Sequence, residues 1–75
     1  MKITINYEKM GENIKKYIIN KNQSMEQLSY ITGINELRLK SIEKGVKSIK
    51  LGEIILICNL LDVKIDDILD YQVGY

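Results

Sequence analysis

The 75-residue chain has no His, no Pro, no Trp and no Phe, and its one cysteine is Cys58. Without His, and with a single thiol, one chain cannot assemble a zinc finger, a Cys/His dyad or a Ser-His-Asp triad. One Cys also excludes an internal disulfide framework and points to a reducing, cytoplasmic compartment. No run of about 18 apolar residues is available to cross a bilayer, and Met1-Lys2-Ile3-Thr4-Ile5-Asn6 lacks the form of a signal peptide. No cluster of acid, base and nucleophile stands out, so the chain reads as a non-enzyme without metal or cofactor. Asp66-Asp67 suits the start of a short helix better than a metal site. Residues 1–75 allow one domain, with no room for a separate small-molecule module. A domain this small buries only about 60% of its unfolded surface, so its core must be efficient or shared with a second copy.

Charge is the first positive signal. The net +1 conceals an imbalance. Residues 1–50 carry ten Lys and Arg against five Glu, leaving +5, whereas residues 51–75 carry Lys64 against five acids, leaving −4. The basic side chains thicken between Arg38 and Lys50, which suits either one face turned to a polyanion or an ordinary solvated surface, and charge alone does not choose between them.

Hydrophobic periodicity supplies the elements. Lys2–Tyr7 alternates polar and apolar residues, the signature of a short strand within an N-terminal arm, residues 1–6. A helical core is expected over residues 7–69. Met10, Ile14, Tyr17 and Ile18 form one stripe of a first helix with Asn6 as N-cap. Ser24-Met25-Glu26-Gln27 reads as a capping box opening a second helix, which Gly33 stops. Asn35 caps a third helix, Glu36 to Lys44, ended by Gly45. Two short helices joined through Gly33 outline a helix-turn-helix. After a basic loop, residues 46–50, Leu51, Ile54, Ile55, Cys58 and Leu61 mark a fourth helix, with Cys58 a small core residue and Asp62 in the left-handed position at its end. Residues 65–69 make a fifth. The tail, residues 70–75, is rich in strand formers; it is either a loose end or pairs with Ile3-Thr4-Ile5, within one chain or across a dimer.

These landmarks in register resemble the Xre/Cro/CI-type helix-turn-helix family of bacterial and phage regulators. Gly11-Glu12-x-Ile14, Ser24-x-x-x-Leu28, Gly33-Ile34-Asn35, Ile42-Glu43-Lys44-Gly45 and Leu51-x-x-Ile54-x-x-Ile57-Cys58-x-x-Leu61-Asp62-Val63 carry the likeness. The resemblance implies an all-α, five-helix domain of lambda-repressor type that binds double-stranded operator DNA as a two-fold dimer and represses transcription. By position it assigns base reading to Glu36, Leu37, Lys40 and Ser41 in the third helix. It places Ser24, Asn35, Arg38, Lys44, Lys47 and Lys50 against phosphates. Met25 stands where the family usually has Gln, and Ile49-Lys50 where Pro-Ser is common, which leaves the fourth helix without a side-chain cap. The apolar residues exceed what a small core absorbs, and Ile3, Ile5, Leu56, Leu60, Tyr71, Val73 and Tyr75 are the expected dimer or partner surface. A homodimer is the first candidate. The second reading is a module on the same scaffold that grips another protein, as an antitoxin or an inhibitor does.

Overall fold

A computed structural model describes residues 1–75 as five helices and a two-stranded ribbon. In chain order these are β1 (Lys2–Ile5), α1 (Tyr7–Asn20), α2 (Met25–Thr32), α3 (Glu36–Glu43), α4 (Leu51–Leu61), α5 (Ile65–Ile68) and β2 (Tyr71–Gly74). Each boundary has a local cause. The Asn6 side chain accepts the Lys9 amide at 3.0 Å and starts α1. Ser24 and Gln27 exchange reciprocal bonds of 3.1 and 3.2 Å in the expected capping box. Gly33, at φ 75°, provides the left-handed stop for α2, and Asp62, at φ 55°, ends α4.

Twelve residues make the core: Met10, Ile14 and Ile18 of α1, Leu28 of α2, Ile34 of the α2–α3 turn, Leu39 and Ile42 of α3, Ile54, Ile57, Cys58 and Leu61 of α4, and Ile68 of α5. Each such aliphatic side chain is worth about 1.5–3 kcal/mol when fully buried. α3 is held between α1 and α2, so the helix expected to read DNA has a rigid backing. α1 and α3 come close at Gly11, where a Cβ would lie 2.4 Å from the Glu43 carbonyl oxygen of α3. The Asn13 side-chain amide donates to the Ile68 carbonyl at 3.0 Å and ties α1 to α5.

The chain is not all-α. β1 and β2 pair antiparallel within one chain, Ile3 opposite Val73 and Ile5 opposite Tyr71, and the Asn6 amide donates to the Asp70 carbonyl at 2.9 Å. Alternation puts Ile3, Ile5, Tyr71 and Val73 on one face of the ribbon and Lys2, Thr4 and Gln72 on the other. A lone two-stranded ribbon is marginal in water. Here Ile5 packs on the core and anchors it.

Candidate nucleic-acid interface

α3 buries Leu39 and Ile42 and turns its other side outward. Glu36, Leu37, Lys40 and Lys44 are exposed, and Leu37 retains 74% of its surface. Leu37, Lys40, Ser41 and Lys44 follow an i, i+3, i+4, i+7 spacing, so they share one stripe of the helix. Leu37 stands uncovered beside Lys40 and Lys44, as single apolar residues often do on a protein surface. The Ser41 hydroxyl donates to the Leu37 carbonyl at 3.1 Å, which leaves its oxygen free to accept. Glu36, in the first turn, favours the positive end of the helix dipole and offers an acceptor for a cytosine amino group.

The expected phosphate contacts fall into two groups. Ser24 and Asn35 use their oxygens internally, Ser24 accepting from Gln27 and Asn35 from the Leu37 amide at 2.8 Å. Each keeps a donor in hand, the Ser24 hydroxyl proton and the Asn35 side-chain NH2. Lys44, Lys47 and Lys50 are exposed and in no ion pair, so all three can neutralise phosphates.

Arg38 is placed differently. Its Nε and Nη2 donate to the two Glu53 carboxylate oxygens at 2.9 and 2.8 Å, a bidentate fork between α3 and α4. Nη1 donates to the Ser48 hydroxyl at 3.0 Å and Nη2 to the Ser48 carbonyl at 2.8 Å. Four of the five N–H donors of the guanidinium are therefore engaged within the protein. Glu53 also accepts the Lys50 amide at 2.9 Å. As expected, Lys50 contributes no side-chain cap to α4, but Glu53 reaches back and supplies half of a capping box. The Arg38 fork holds the Glu53 carboxyl down at about 2, against an ordinary 4.5, with the Lys50 amide helping. Sequence reasoning missed Glu53 and Ser48. Only the Glu at the third position of α4 hinted at a cap, and nothing local linked it to a residue 15 positions earlier.

Glu43, at the end of α3, makes no ion pair within 4 Å. Burial pushes its carboxyl above the ordinary value, while Lys15 of α1 and Lys40 pull it back. Of the expected partner surface, Ile3, Leu56, Tyr71, Val73 and Tyr75 are exposed, whereas Ile5 and Leu60 are half-buried and pack against the core. No group of three or more potential metal ligands occurs, and no helix is long and apolar enough to cross a membrane.

Comparison with known proteins agrees with this geometry. The chain is similar in structure to the restriction-modification controller protein C.AhdI from Aeromonas hydrophila, with a TM-score of 0.76 and 21% sequence identity over 83% of this chain and 94% of that one. At that identity the likeness establishes the fold. No curated protein matches the sequence. The family model described as the Cro/C1-type HTH DNA-binding domain matches residues 13–73, from the middle of α1 to the terminal strand. The chain belongs to the Cro/C1-type helix-turn-helix DNA-binding domain family.

Proposed function

We propose that the protein is a sequence-specific regulator that binds an inverted-repeat operator as a dimer, lays α3 in the major groove and represses transcription by occlusion. The observation that carries this reading is the α3 stripe. Lys40 and Leu37 stand exposed on a helix whose opposite face is locked into the core, with Lys44, Lys47 and Lys50 following along the chain. In this reading Lys40 donates to guanine O6 and N7, Leu37 covers a thymine methyl, and Glu36 accepts from cytosine N4. The lysines and the caps Ser24 and Asn35 set the register through phosphates. Three phosphate-binding lysines on each protomer give six per dimer, and a slope of about −5 in log K against log salt.

Selection from a randomised duplex pool tests the proposal. Two half-sites about one helical turn apart are expected. Lys40→Ala is expected to lose about 10- to 100-fold in affinity for the selected site, the equivalent of about 1–3 kcal/mol for a good base contact. A pool that enriches no motif, or a Lys40→Ala protein that binds the selected site as wild type does, contradicts it.

Tyr30, 89% exposed, and Ile31, 60% exposed, on the outer side of α2 favour a second reading, a protein-gripping module. Capture from the native host separates the two. A stoichiometric protein partner lost in Tyr30→Ala, together with no duplex binding, supports the second; recovery of DNA alone opposes it.

A further inference from the structure

The Arg38 fork invites a revision of what this side chain does at the DNA-binding surface, and the inference rests on the DNA-binding reading above. We propose that Arg38 is a positioning residue and not a phosphate contact: with Glu53 and Ser48 it locks the α3–α4 loop, so that Lys47, Lys50 and the start of α4 are presented at a fixed distance from the recognition helix.

The geometry converges on one point from three segments. Arg38 lies in the first turn of α3, Ser48 in the loop and Glu53 in the first turn of α4. The guanidinium takes both Glu53 oxygens and both Ser48 oxygens, at 2.8 to 3.0 Å. The same Glu53 holds the Lys50 amide. Two lysines expected on phosphates, Lys47 and Lys50, therefore flank a residue bound to Arg38 or are bound by its partner. Neither lysine has an ion pair of its own to orient it, so the backbone beneath it decides where its charge stands. The pair is partly shielded, with 28% of the Arg38 and 14% of the Glu53 side chain accessible, and it couples more strongly than a fully exposed ion pair. Just before Glu53, the Cβ position at Gly52 has nothing within 4 Å.

Positioning and direct contact differ in the sign of one effect. A positively charged surface gains affinity for a polyanion when a nearby carboxylate is removed. If Arg38 touches phosphate, Glu53→Gln frees it and tightens binding. If Arg38 positions the loop, Glu53→Gln weakens binding although the protein becomes more positive. Arg38→Lys discriminates a second time. It keeps the charge, which preserves most of a phosphate contact, but cannot form a planar fork with a carboxylate.

The test uses the full chain, a mixed-sequence duplex of 20 base pairs and the duplex recovered by selection. Positioning is expected to make Arg38→Lys and Glu53→Gln each bind about tenfold more weakly, with the double variant no worse than either single one. Tighter binding by Glu53→Gln, or wild-type affinity in Arg38→Lys, overturns the proposal. Amide hydrogen exchange without DNA supplies an independent readout. Exchange at Ile49 and Lys50 is expected to quicken at least tenfold in Arg38→Ala and in Arg38→Lys, while the core amides of α1 hold. Unchanged exchange at those two amides overturns the lock. A variant that loses its far-UV circular dichroism is set aside in favour of Arg38→Lys, the mildest of the set. Should wild type bind neither duplex, the DNA reading falls and exchange alone decides the lock.

Discussion

Two glycines inside helices are expected to respond to alanine with opposite signs. Gly11 lies in the second turn of α1, and a Cβ there would meet the Glu43 carbonyl oxygen at 2.4 Å, the Ile42 carbonyl oxygen at 2.7 Å and the Glu43 carbonyl carbon at 2.8 Å. All three are backbone atoms of α3, so no side chain can swing aside. α1 must lift from α3 by nearly an ångström, which loosens the core to which Met10 and Ile14 of α1 and Leu39 and Ile42 of α3 belong. Overpacking of this kind costs about 1–3 kcal/mol, and its upper end applies where backbone is the obstacle. Alanine returns up to about 1 kcal/mol of helix propensity, so a net loss of about 2 kcal/mol is expected. Gly52, in the first turn of α4, has nothing within 4 Å of its Cβ position. There only propensity acts, and a gain of about 0.5–1 kcal/mol is expected. In a domain of this size 1 kcal/mol shifts the midpoint by about 4–8 °C. Thermal melts should place Gly11→Ala about 8–16 °C below wild type and Gly52→Ala a few degrees above it. Equal midpoints for the two variants, or a stabilised Gly11→Ala, would refute the α1–α3 approach.

Acid titration provides a further check, because Glu53 has a depressed pKa. A carboxylate held below its ordinary value stabilises the fold above that value and loses the contribution as pH falls from about 4.5 through about 2. Glu43 acts in the opposite direction, its raised value favouring the folded state on protonation. The difference between wild type and Glu53→Gln melts therefore isolates Glu53, and it is expected to shrink over that acid window; a constant difference opposes the fork. Cys58 is 4% exposed, and burial, assisted by Asp67, pushes its thiol up. Ellman's reagent at pH 8 should label the native protein far more slowly than the protein in denaturant, at a rate that follows local opening. Immediate native labelling contradicts the core position.

The elements whose causes are local were legible in the sequence. Asn6, Ser24, Asn35, Gly33, Gly45 and Asp62 cap or stop helices through bonds and backbone angles within a few residues, and each lies at a boundary in the structure. The outward positions of α3 were assigned from the family resemblance and not from a period in the sequence; the inward turn of Leu39 and Ile42 is a feature of the structure. Long-range pairings were not legible. The strand character of both ends could be read, but not that they close on each other within one chain, since register is settled in three dimensions. Arg38 looked like one more positive charge in a basic segment. Its bond to Glu53 depends on how α4 packs, and no period in the sequence encodes it. Ile5 and Leu60 looked like surplus apolar surface, yet both lie against the core. The Asn13 bond to the Ile68 carbonyl spans 55 positions and had no local signal at all.

DNA recognition through α3 is tested most directly by titrating isotope-labelled protein with the selected duplex and following every backbone amide by NMR. The largest shifts are expected at Ser24–Gln27, Asn35–Ser41 and Lys47–Gly52, with β1 and β2 unmoved by the contact itself. Shifts confined to the ribbon or to the outer side of α2, with Glu36, Leu37 and Lys40 unperturbed, would contradict it.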